Sequence, residues 1–154
     1  SNYLGVDNFI WLIAALEYFD TGGQIDNLAC FTPGNVIIAL NEEDSADSNY
    51  QKLKENLERL KHAKDISGKS YEVVSIDQPS RDTFLNERLP MSYINFYIAN
   101  DGIVLPVFDD EKDNDAIEKI QNVFKNKRVV TVPGKPITEG GGCVHCITQQ
   151  QPLI

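Results

Sequence analysis

Two hydrophobic patterns follow one another along this chain in a fixed order, and the whole order occurs twice. Leu28, Ala29, Cys30 and Phe31 form a short apolar run, and residues 36–40 form a second, with Thr32-Pro33-Gly34-Asn35 between them. Pro-Gly in mid-turn between apolar runs predicts a hairpin. An acidic loop over 41–47 leads into a stretch, 48–64, where Leu53, Leu57 and Leu60 recur at helical spacing. Gly68 lies beyond its end, and 71–76 reads as a strand. The second round starts at Ser92. A strand is predicted over 93–98, hairpin chemistry at Asn100-Asp101-Gly102, a return strand over 103–108 and an acidic loop over 109–115. A helix follows with Ile117, Ile120 and Phe124 on one face, and 128–132 closes as a strand.

Hairpin, acidic loop, helix, strand is a ββαβ unit, so the expected class is mixed α/β (α+β). Residues 8–13 read as the closing strand of an earlier unit and 143–148 as the opening strand of a later one. The expectation is a single domain over 1–154 holding about two complete modules plus flanking strands, a piece of a longer repeat protein in which each unit buries its faces against its neighbours. The loops at 14–27, 77–91 and 133–142 join equivalent strands and should lie at one end. Asp26 and Cys146 then occupy equivalent places and could share a site. Unpaired terminal strands at 9–13 and 144–148 would expose apolar edges, which predicts a homo-oligomer, most simply a dimer.

Composition narrows the function classes. The chain has 154 residues and a net charge of -9, which disfavours nucleic acid and anionic membrane as partners. No apolar run reaches the length of a membrane span, and no leader pattern is visible. Three cysteines, an odd number, point to free thiols in a reducing cytoplasmic setting.

The chemistry concentrates at the end of the chain, in Glu139-Gly140-Gly141-Gly142-Cys143-Val144-His145-Cys146-Ile147-Thr148-Gln149-Gln150. Glycines let the backbone approach a ligand, and a thiol beside them is a candidate nucleophile. Cys146 can also be read as a buried strand thiol, the usual fate of a free cysteine. This segment resembles the end of agmatine deiminases, which finish on Gly-Gly-Gly-Asn-x-His-Cys-Ile-Thr-Gln-Gln. The resemblance extends through Trp11-Leu12, Asp26-Asn27-Leu28-Ala29-Cys30-Phe31, Arg88-Leu89 and residues 92–100. It corresponds to the C-terminal part of that family, less than half of its length.

The resemblance implies a partial α/β propeller of the pentein type. It also implies hydrolysis of agmatine, a small cationic guanidino compound, to N-carbamoylputrescine and ammonia through a covalent cysteine adduct, with no metal or organic cofactor. Cys146 matches the nucleophile. Asp26 matches a guanidinium-binding carboxylate, Asp20 a second acidic position, and Gly141 and Gly142 the loop beside the substrate. Gln24 stands where the family has its acid–base histidine, in Asp20-Thr21-Gly22-Gly23-Gln24-Ile25-Asp26. An amide does not shuttle protons near neutral pH. Cys143 replaces the usual Asn. The chain alone is therefore expected to be inactive toward agmatine, and the alternative is a non-catalytic truncated paralogue that acts as a binding module. His145, next to the thiol on an expected strand, should point to the opposite face, and His62 should be solvated on its helix. Cys143, His145 and Cys146 superficially resemble part of a zinc or redox site, but no second ligand pair accompanies them.

Overall fold

The computed structural model describes residues 3, 5–13, 16–17 and 23–151. Both predicted units are present with the same connectivity. In the first, β1 (Ala29–Thr32) turns through Pro33-Gly34-Asn35 into β2 (Val36–Asn41), α1 (Tyr50–His62) crosses over, and β3 (Glu72–Asp77) returns beside β2. β1 and β2 are antiparallel, with Thr32 opposite Val36; β2 and β3 are parallel, with Val36 opposite Glu72. The turn needs two residues in the left-handed region, and Gly34 and Asn35 supply them at φ 84° and 67°.

The second unit repeats this with β6 (Tyr97–Ile98), β7 (Gly102–Val107), α2 (Asp113–Val123) and β8 (Arg128–Pro133), giving a sheet in the order β6-β7-β8. Between the units, in the loop expected over 77–91, a small hairpin pairs β4 (Thr83–Phe84) with β5 (Glu87–Arg88). The loop after β8 holds a single turn of helix, α3 (Lys135–Thr138).

The central strands are apolar on both faces because both faces are covered. Ile37 and Ala39 of β2 meet Leu57 and Leu60 of α1, while Ile38, Leu40 and Ile76 turn the other way into the main core. That core also takes Ile103 and Leu105 of β7, Ala116 and Ile120 of α2, and Phe96 and Phe124, whose rings meet edge to face at 5.8 Å. α2 lies against β3 of the first unit as well as β8 of its own, so it joins the two units. Asp113 starts α2 and accepts hydrogen bonds from the Phe108 and Asp110 amides and from the Tyr93 hydroxyl. Burial, reinforced by that carboxylate, pushes the Tyr93 phenol far up, so it stays a donor.

Two expected strands are absent and a third is cut to two residues. Residues 8–13 form no ladder; Asn8 and Ile13 are tied to the carbonyl of Lys64 and the side chain of Asn56 instead. Of 93–98, only Tyr97–Ile98 pairs. The Ser92 hydroxyl accepts from the Ile94 amide and donates to the Asn27 carbonyl, and the Asn95 amide donates to the Ser92 carbonyl. This local side-chain turn competes with a ladder. Residues 143–148 form a 3₁₀ turn, His145–Ile147, because the His145 amide is taken by Asn95 and the Ile147 amide by the Cys143 carbonyl. The terminal strands that were expected to mediate self-association are therefore absent as strands. Among the described residues, no helix is long and apolar enough to cross a membrane.

Candidate active site

The site forms where two 3₁₀ turns and one buried loop meet. The first turn, Ile25–Asn27, leads into β1 and carries Asp26, with Gln24 just ahead of it. The second, His145–Ile147, carries His145 and Cys146. The loop is 92–96, and Asn95 within it is fully buried.

Asn95 is the hub. Its Oδ1 accepts from the His145 amide at 2.8 Å and, more weakly, from the Cys146 amide at 3.4 Å. Its Nδ2 donates to Asn27 Oδ1 at 3.0 Å and reaches Cys146 Sγ at 3.2 Å. One amide thus holds the thiol's backbone, touches its sulfur and ties both to the turn that carries Asp26.

The chain places Cys146 Sγ 3.3 Å from Asp26 Oδ2 and 3.7 Å from Gln24 Oε1. These positions are 120 and 122 residues away in sequence and meet in space. His145 joins them: its Nδ1 lies 2.9 Å from the same Asp26 oxygen. The expectation that His145 faces away from Cys146 is corrected here. In a strand, neighbours alternate by half a turn; in a 3₁₀ turn they are about a third of a turn apart, so two in succession can address one carboxylate. Asp26 Oδ1 and Asn27 Nδ2 are buried without a hydrogen-bond partner among the described residues. An unpartnered buried carboxylate oxygen leaves one acceptor open to a donor from a ligand.

The glycines ahead of the thiol have separate structural reasons. Gly141 sits at φ 91°, which disfavours any side chain. A Cβ at Gly142 would stand 2.8 Å from Cys146 Cβ and 3.2 Å from its sulfur. Asp20 lies outside the described residues. His62 is exposed on α1, with Nδ1 2.7 Å from the Glu58 carbonyl. Among the described residues, no group of three or more His, Cys, Asp or Glu side chains is placed to hold a metal ion.

The three thiols differ sharply. Cys146 is exposed, Cys30 half-buried and Cys143 buried. Burial pushes the Cys30 thiol up and the Cys143 thiol up to about 12. Iodoacetamide at neutral pH should therefore label Cys146 first, Cys30 more slowly and Cys143 last, as read by peptide mass mapping over time. Equal rates at Cys146 and Cys30 would show that the loop is closed over the sulfur.

Sequence reasoning missed Asn95 and the placement of His145. The signal for Asn95 was present: an amide inside the apolar run Tyr93-Ile94-Asn95-Phe96 must be buried, and a buried amide must find partners.

The chain is similar to known proteins along nearly its whole length. A Legionella pneumophila (strain Paris) relative, provisionally named an agmatine deiminase, is 43% identical over 153 residues, covering 98% of this chain and 44% of its own. The agmatine deiminase of Pseudomonas aeruginosa (strain UCBPP-PA14) is 39% identical over 170 residues, with 98% and 46% covered. The solved agmatine deiminase of Enterococcus faecalis superposes with a TM-score of 0.91 at 29% identity, again over 98% of this chain and 46% of the other. The chain thus spans less than half the length of the relatives it matches. The pattern of the Porphyromonas-type peptidyl-arginine deiminases matches residues 1–152, and the chain belongs to that family.

Proposed function

We propose that this chain supplies the nucleophile-bearing part of a site that hydrolyses a guanidinium group, with agmatine as the substrate. One observation carries this most: an exposed thiol 3.3 Å from a carboxylate that is otherwise mostly buried. A mostly buried carboxylate that close to the sulfur is placed to pair with a planar cation beside it. A guanidinium that pairs with Asp26 sets its own carbon beside Sγ. The sulfur gives up its proton as it attacks that carbon and forms a C–S bond; the C–N bond breaks, and the leaving nitrogen takes one proton and departs as ammonia. Water next displaces the sulfur, giving N-carbamoylputrescine and the free thiol. No step in this scheme calls for a metal or an organic cofactor.

Gln24 favours a second outcome, binding without turnover. General acid–base help is worth about 10²–10⁴-fold, and an amide at position 24 offers none. Both outcomes share one test. Chloroacetamidine, a planar cation, should label Cys146 faster than neutral chloroacetamide by about tenfold beyond their ratio on Cys30, the worth of one charge-assisted hydrogen bond. Agmatine should protect the thiol, and Asp26→Asn should remove the preference. Ammonia release on adding agmatine separates turnover from binding. No preference for the amidine, and no protection, would rule out guanidinium recognition.

A further inference from the structure

Position 24 offers no ionisable group, yet an imidazole does reach the site, at the Asp26 oxygen that the sulfur also touches. His145 Nδ1 and Cys146 Sγ lie 2.9 Å and 3.3 Å from the same oxygen, Asp26 Oδ2. A carboxylate only accepts, so Nδ1 carries the hydrogen of its bond and Nε2 is free to take a second proton. The ring is 43% exposed, open to exchange with water. Its backbone is fixed: the amide donates to Asn95, and the Thr148 hydroxyl donates to its carbonyl. The titratable groups that face one another are Asp26 from the first 3₁₀ turn and His145 and Cys146 from the second. The remaining polar partners, Asn95 and Gln24, are neutral. Among the described residues, no lysine or arginine is hydrogen-bonded to Asp26 or Cys146, so His145 is the cation this set can form.

We infer that His145 is a positioning residue for the nucleophile, supplying through Asp26 the positive charge that residue 24 does not supply. This rests on the proposed function only in taking Cys146 as the nucleophile. The S–H bond of Cys146 breaks and its proton passes to water; a proton from water binds Nε2 of His145. One proton moves in net from sulfur to imidazole, and the total charge is unchanged. With Nε2 bare, Asp26 stands as an uncompensated negative charge beside the sulfur. With Nε2 protonated, imidazolium and carboxylate cancel, and the sulfur can hold the negative charge.

Chloroacetamide tests this without depending on guanidinium recognition, because it is neutral. At about pH 7, His145→Gln should slow alkylation of Cys146 by about tenfold. The gap should close above about pH 9.5, where thiols ionise unaided. Overlapping profiles overturn the inference, and so does an equal loss at every pH, which marks a purely structural role. Should His145→Gln fail to fold, the His62→Gln chain keeps a single histidine. Diethylpyrocarbonate on that chain should slow Cys146 by the same factor, and hydroxylamine should restore it; an unchanged rate overturns the inference. Chloroacetamidine run in parallel separates the two proposals. Loss of the amidine preference with the His145 effect intact removes guanidinium recognition alone. The reverse result removes His145 alone.

Discussion

Asn95→Ala is expected to disable the site and weaken the fold together, and Asn95→Asp to disable the site while sparing most of the fold. Asn95 is fully buried, and each end of its amide does one job. Oδ1 holds the His145 amide, which positions the nucleophile turn. Nδ2 donates to Asn27 and to the sulfur, which joins that turn to the one carrying Asp26. Alanine removes both ends: it leaves Asn27 Oδ1 to find a new partner in a dry place, at about 1–3 kcal/mol if unsatisfied, and leaves the His145 amide only its bond to the Asn95 carbonyl at 3.1 Å. The denaturant midpoint should fall, and labelling of Cys146 should lose its preference for chloroacetamidine because the turn no longer faces Asp26. Aspartate keeps the acceptor for the His145 amide but sets a second carboxylate against Asn27 Oδ1 and Sγ. Its midpoint should drop less than that of alanine, while chloroacetamide alkylation near neutral pH slows, since another negative charge opposes the thiolate. Urea titration and alkylation rates on the same samples decide it. Alkylation of Cys146 at the wild-type rate near neutral pH in the aspartate variant would show that the donor to sulfur is incidental.

The repeat of hairpin, helix and strand was legible because its signals are local. Pro33-Gly34-Asn35 demands a turn, and Leu53, Leu57 and Leu60 can share a face only on a helix. The pairing of Asp26 with Cys146 was legible at one remove, from the phase of the repeat and from the family resemblance. What failed was the assumption that an apolar run is a strand. Tyr93, Ile94 and Phe96 are all buried, with no alternation, because that segment threads the core as irregular chain. Its backbone groups are satisfied by Ser92 and by neighbouring turns rather than by a ladder. The same is true of the thiol segment, whose donors are taken by a side chain 50 positions earlier. No periodicity in either segment encodes a bond between them. The error about His145 followed directly: assign a strand and the ring points away, assign a 3₁₀ turn and it meets Asp26.

The largest expected loss of stability lies away from the sulfur, at Arg88. Its side chain is 5% exposed, and one guanidinium nitrogen bonds Asp47 Oδ1 at 2.9 Å and Glu17 Oε2 at 3.0 Å. Asp47 is itself 9% exposed and also accepts from the Asn49 amide ahead of α1. Arg88 therefore ties the β4–β5 hairpin to the start of α1 and to Glu17, just ahead of the segment that runs into Gln24 and Asp26. Removing one partner of a buried pair leaves the other charge without compensation, at about 3–5 kcal/mol. Arg88→Ala should lose stability on that scale at neutral pH. The loss should depend on pH in a defined direction. Burial pushes the Asp47 carboxyl up, but the bonds from Arg88 and the Asn49 amide outweigh it and hold the group below the usual range. Glu17 is held low as well, first by the Ser48 hydroxyl and then by Arg88, although its greater exposure makes its share smaller. Carboxyls held low in the folded state contribute stability above their unfolded values, near pH 4, and lose it as pH falls through the folded values. The wild-type chain should therefore weaken steeply on acidification, while Arg88→Ala, with those bonds already gone, weakens less. The gap between the two should be widest near pH 7 and narrow toward about pH 3. Adding Asp47→Asn to Arg88→Ala removes the stranded charge and should recover part of the loss. A gap in urea midpoints that stays constant from neutral to acid pH would mean that Arg88 acts through the packing of its stem rather than through its charge.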